Sequence, residues 1–115
     1  VNTWGETLVG DNGFSSVGAV VGATWPEQAV EARKIMPNNL ILVPGYGAQG
    51  AGADAAVASF TSEGTGSIVN ASRSLMCAWK KRTDLEVSEF QKATRDEAID
   101  MRNSLNSALK DRKYV

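Results

Sequence analysis

Three short apolar runs constrain this chain more than any other feature. They begin near Val17, Leu40 and Ser67, roughly 23 and 27 residues apart, which suits successive strand–helix units with right-handed crossovers. Val17 to Val21 (VGAVV) reads as a buried strand whose glycine and alanine let another element approach closely. Leu40 to Val43 reads as the second strand and Ser67 to Asn70 as the third.

Helix signals fill the gaps. Thr24-Trp25-Pro26-Glu27 predicts a helix start, with Thr24 as the cap, Pro26 in the first turn and Glu27 closing a capping box. Pro37 ends that helix by about Met36. A short helix is expected over Ala53 to Thr61, and another from Ser72 or Ser74 to about Lys81. Trp4, Leu8 and Gly10 read as the last turns of a helix with a glycine cap, so that Val1 starts in mid-element.

After residue 82 the composition changes. Thr83-Asp84-Leu85-Glu86 reads as a further capping box, and Val87, Phe90, Ala98, Met101, Leu105 and Leu109 fall at helical spacing. The expected organisation is therefore residues 1–82 as α/β units and 83–115 as one amphipathic helix, ending near Lys110 with a solvated polar face. The fold class is α/β: three parallel βα units plus a long C-terminal helix.

Composition narrows the function. The 115 residues favour one domain with a modest core, and 43% hydrophobic content argues against disorder. With 12 basic and 13 acidic residues, no charge argument points to nucleic acid or an anionic membrane. No apolar run approaches the roughly 20 residues that span a bilayer. No basic segment followed by an apolar one opens the sequence, so no signal peptide is expected. A lone cysteine, Cys77, forms no internal disulfide, and the expected location is cytoplasmic. Histidine is absent, which excludes Ser-His-Asp and Cys-His catalysis within the chain.

Chemistry concentrates where the second and third strands end. Pro44-Gly45-Tyr46-Gly47-Ala48-Gln49-Gly50 follows one, and Asn70-Ala71-Ser72-Arg73-Ser74 follows the other. Glycines such as Gly47 let backbone N–H groups approach an anion, and arginine adds a charged fork. Gln49 can both donate and accept, and the Tyr46 hydroxyl can donate, although Tyr46 suits core packing equally well. The loop also matches G-x-G-x-x-G, the dinucleotide fingerprint. Pro44 and Gly52 distort that match, and Asn70, Ala71 and Ser72 stand where an acidic ribose ligand belongs. Arg73 could instead accept a 2′-phosphate. A nicotinamide-binding module and a self-associating α/β piece whose loop binds nothing therefore stay open beside the phosphate site. Trp25, Trp79 and Cys77 are expected to pack, and Asp96, Glu97 and Asp100 to solubilise.

Four blocks carry a resemblance: Ser16 to Thr24 (SVGAVVGAT), Ile35-Met36-Pro37, Leu42 to Gly50 (LVPGYGAQG) and Ile68 to Arg73 (IVNASR). In this order and spacing, residues 1–80 resemble the C-terminal part of the orotidine 5′-phosphate decarboxylases, in particular the bacterial subgroup with the PGYGAQG loop. The resemblance implies a (β/α)8 barrel that converts orotidine 5′-phosphate to UMP and CO2 without metal or cofactor. It makes the three strands here strands 6, 7 and 8. It implies that Gln49 contacts the phosphate and reaches towards the pyrimidine, that Arg73 and the backbone of Ser72 or Arg73 hold the phosphate, and that Pro44 and Tyr46 line the pocket. Ser72 stands where the family often has glycine. The family's catalytic Asp-x-Lys-x-x-Asp pattern occurs nowhere in this chain, which implies a phosphate gripper without the catalytic array. Three strands cannot close such a barrel. The expected partners are a nucleotide monophosphate and either another copy or the N-terminal half of the barrel, with no nucleic acid or membrane.

Overall fold

The structure is a computed structural model that describes residues 1–47 and 51–112. Its elements in chain order are α1 (Asn2–Gly5), β1 (Ser15–Val20), α2 (Pro26–Ile35), β2 (Asn39–Val43), α3 (Ala53–Ala56), β3 (Ser67–Val69), α4 (Ser72–Met76) and α5 (Phe90–Lys110). Short 3-10 segments at Glu6–Leu8, Ala78–Lys81 and Val87–Glu89 complete them.

The strands form one parallel sheet in the order β1-β2-β3. β2 pairs with β3 without interruption, Ile41 facing Ser67 and Val43 facing Val69. β1 is irregular between Ser15 and Ala19. Gly18 sits in that irregularity, and a Cβ placed on it would lie 2.6 Å from the Leu40 carbonyl oxygen. The strand is thus glycine there because a neighbouring backbone occupies the side-chain position.

Helices cover one face of the sheet. Ile41 and Val43 point into that layer and are fully buried, with Ala23, Met36 and Ala56 buried beside them. Leu105 of α5 and Tyr46 pack against the same cluster. The opposite face is bare: Val20 is 67% exposed and Ile68 60%, and Leu40 and Leu42 are also exposed. An all-parallel sheet normally has both faces covered.

Several helix boundaries differ from the sequence expectation. α2 begins at Pro26 with Trp25 in the cap position and no side-chain cap, so Thr24 does not cap it. The proline disfavours the helical conformation at Trp25, whose φ and ψ are −125° and 82°, and this fixes the boundary one residue past Thr24. Trp25 does not pack; it is 64% exposed at the end of the sheet. α3 stops at Ala56 rather than near Thr61, and the bonds Ala58 N–H to Ala55 O and Phe60 N–H to Val57 O tighten the chain into turns. α1 ends at Gly5, and Gly10 closes a turn through its N–H to Phe14 O instead of capping a helix.

α5 ends at Lys110 as the periodicity predicts, but its entry lies further along. The capping box is formed by Glu86 and Glu89, not by Thr83 and Glu86. Asp84 is engaged instead by Arg82, whose Nε and Nη2 donate to it at 2.7 and 2.6 Å. α5 buries Ala93 and Ala108, while Val87 and Phe90 stay exposed. No helix among the described residues is long and apolar enough to cross a membrane.

Candidate functional site

The carboxyl edges of β2 and β3 place the two small-residue loops side by side. Asn70 N–H donates to Val43 O at 3.2 Å, so the chain leaving β3 stays paired to the end of β2. Beyond it, Pro44, Gly45, Tyr46, Asn70, Ala71, Ser72 and Arg73 surround a cup of about 150 Å³. On the far side, Ala23 N–H donates to Pro44 O at 3.0 Å and ties the loop after β1 to the same wall.

The glycine loop has a closed neck. Tyr46 and Ala51 form a parallel bridge, and Gly47 N–H donates to Ala51 O at 3.0 Å. Gly45 and Gly47 have φ of 96° and 75°, left-handed values that a side chain resists. Two glycines therefore fold the chain back on itself immediately after β2. Tyr46 lies between them with its ring against the core cluster. It also lines the cup.

The geometry brings Pro44, Tyr46, Ser72 and Arg73 together at one cup. Gly47 lies just outside it, on the wall of a second concavity. Gln49 falls outside the described residues. Arg73 is exposed and makes no ion pair among the described residues.

The second concavity is larger, about 550 Å³, and shares Tyr46 and Arg73 with the cup. Lys80, Lys81 and Cys77 line it from the Arg73 side and Glu97 from α5. Reading the sequence missed this group. Arg73, Cys77 and Lys80 recur at the i, i+4, i+7 spacing of one helix face, and that periodicity was the available signal. Cys77 is half-buried at this surface rather than in the core.

Known proteins bear directly on this arrangement. No protein-family profile matches the chain. An orotidine 5′-phosphate decarboxylase of Clostridium perfringens is 43% identical over 109 residues, covering 95% of this chain and 37% of that protein. One from Rhodopirellula baltica is 45% identical over 97 residues, 82% of this chain and 32% of that protein. Over most of its length the chain is thus similar in sequence to orotidine 5′-phosphate decarboxylases. Solved structures agree with this kinship. A Toxoplasma gondii orotidine-monophosphate-decarboxylase superposes with a TM-score of 0.58 at 28% identity, over 82% of this chain and 30% of its own. Leishmania donovani UMP synthase gives 0.57 at 30% identity, over 90% and 22%. The chain thus spans about a third of the length of the curated decarboxylases it matches and forms a parallel sheet with a long C-terminal helix.

Proposed function

We propose that this chain is the phosphate-gripping C-terminal part of an orotidine 5′-phosphate decarboxylase, comprising strands 6 to 8 of its (β/α)8 barrel. The observation that carries the reading is the convergence of Pro44, Tyr46, Ser72 and Arg73 on one cup at the carboxyl edge of the sheet. In (β/α)8 barrels the phosphate site commonly lies between the loops after strands 7 and 8. The bare apolar face formed by Val20, Leu40, Leu42 and Ile68 fits a barrel interior.

In this reading Arg73 supplies the fixed fork to the phosphate, assisted by backbone N–H groups of Ser72 and Arg73. Gly47 admits close backbone approach, and Gln49 bridges the phosphate and the pyrimidine. Pro44 and Tyr46 wall the cup. The lysine that protonates the developing carbanion and the carboxylate that destabilises the substrate's carboxylate belong to the Asp-x-Lys-x-x-Asp pattern, which this sequence lacks. Phosphate binding energy would support chemistry performed elsewhere in the barrel. The setting is cytoplasmic pyrimidine synthesis, with assembly through another copy or the N-terminal half of the barrel.

The nicotinamide alternative fits less well. The helix after the glycine loop, α3, has four residues, too short a dipole to hold a pyrophosphate in the dinucleotide manner. The deciding experiment titrates the chain with UMP and with NADP while amide NMR shifts are followed. UMP is expected to shift the amides of residues 45–47 and 70–74, and Arg73→Ala to weaken binding by about 1.5–3 kcal/mol, the worth of a charge-assisted hydrogen bond. A response to NADP alone, or none to UMP, would reject the reading. Mixed with orotidine 5′-phosphate, the chain by itself is expected to produce no UMP.

A further inference from the structure

The cup and the larger cleft are neighbours that share Tyr46 and Arg73. The cup, at about 150 Å³, is walled by Pro44, Tyr46 and Asn70 among smaller residues and carries Arg73 as its cation. The cleft, at about 550 Å³, adds Lys80 and Lys81 against a single carboxylate, Glu97. Among the described residues neither lysine is in an ion pair. Lys80 instead lies over the Trp79 ring, 5.6 Å from its centroid, which orients the ammonium without neutralising it. Such an arrangement places an excess of positive charge immediately beyond the group that Arg73 holds, in a volume that one phosphate leaves largely unfilled.

We infer that the cleft is a subsite for a second phosphoryl group, so that the chain takes nucleoside 5′-diphosphates with the β-phosphate over Lys80 and Lys81. The inference rests on the reading of the cup as the 5′-phosphate site. A diphosphate would then compete with the monophosphate, because both need Arg73. The lysines are exposed, so each contributes modestly and the gain is salt-sensitive.

The test uses the 115-residue chain and four probes: inorganic phosphate, inorganic pyrophosphate, UMP and UDP. Binding is followed by NMR shifts at low and at high salt. UDP is expected to bind about three- to tenfold more tightly than UMP at low salt, consistent with two partly exposed charge contacts, and pyrophosphate to exceed phosphate similarly. The double variant Lys80→Gln/Lys81→Gln should abolish both gains and leave UMP affinity unchanged. Equal or weaker binding of UDP and pyrophosphate would overturn the subsite, as would a gain that survives in the double variant. Failure of the cup reads differently: UMP would be silent while pyrophosphate still bound better than phosphate through the lysines.

Discussion

Arg33 shows how much one side chain can organise. Its guanidinium donates to the carbonyl oxygens of Ser59 and Gly66 at 2.7 Å, of Met36 and Asn39 at 2.8 Å, and of Pro37 at 3.2 Å. These acceptors surround the starts of β2 and β3, so the arginine sets the spacing of the two strands whose far ends form the cup. Gly66 completes the arrangement: its φ is 80°, and a Cβ there would press on Phe14, Thr61 and the Arg33 Nη2. Arg33→Met is expected to cost about 2–4 kcal/mol, because several half-buried carbonyls lose a charged donor at once. Arg33→Lys should recover only part of this, lacking the planar fork. Urea unfolding measures both, and a loss within about 0.5 kcal/mol for Arg33→Met, the range of ordinary surface changes, would refute the role. Arg33 was not legible in the sequence, since its partners are main-chain carbonyls up to 33 residues away. Gly18 was legible, because a glycine inside an apolar run signals close approach whatever the neighbour is.

Between elements, the segment joining α4 to α5 is held by charge. Arg82 binds Asp84 and also donates from Nη1 to Asp96 of α5 at 2.9 Å. The hydrogen bond from Arg82 lowers the Asp84 carboxyl to about 2. A depressed carboxyl pKa stabilises the folded chain above its unfolded value near 4, and that contribution fades as pH falls towards 2. Asp84→Asn should therefore flatten the loss of stability between about pH 4 and 2, a window set by these two values. Thermal melts across that range measure it, and curves of equal slope for both proteins would contradict it. The same contact explains why the expected capping box was displaced. Thr83, Asp84 and Glu86 carry the right letters, but Arg82 takes the aspartate and the helix enters at Phe90. Strands and loop ends were more legible than helix ends, because apolar runs and glycines act locally whereas a helix stops where a tertiary contact claims its backbone. α3 is the second example: the Arg33 bond to Ser59 O lies where its continuation was expected.

For the whole molecule, the one-sided sheet dominates. Its bare face carries Val20, Leu40, Leu42 and Ile68, and β1 and β3 each leave an edge unpaired within the described sheet. The chain is expected to self-associate at micromolar concentration, and Leu42→Lys, a change on the exposed face, should shift it towards monomer. Sedimentation velocity reads both, and a wild-type chain that stays monomeric across the concentration range would count against the prediction. Sequence periodicity revealed the strands but not which face stays open, because a run such as Leu40-Ile41-Leu42-Val43 is apolar on both sides. Only the pairing with helices separates Ile41 and Val43 from Leu40 and Leu42.

The open face also makes assembly and ligand capture a single equilibrium. If the phosphate is held on this chain and the pyrimidine, touched here by Gln49, is met also by residues beyond it, a nucleotide bridges two bodies. By mass action each nucleotide bound then tightens the union of the pieces, and each union tightens the nucleotide. The exposed leucines would act as half of a ligand-gated fastener, whose closure could be followed by mixing the chain with a complementary N-terminal piece and adding UMP.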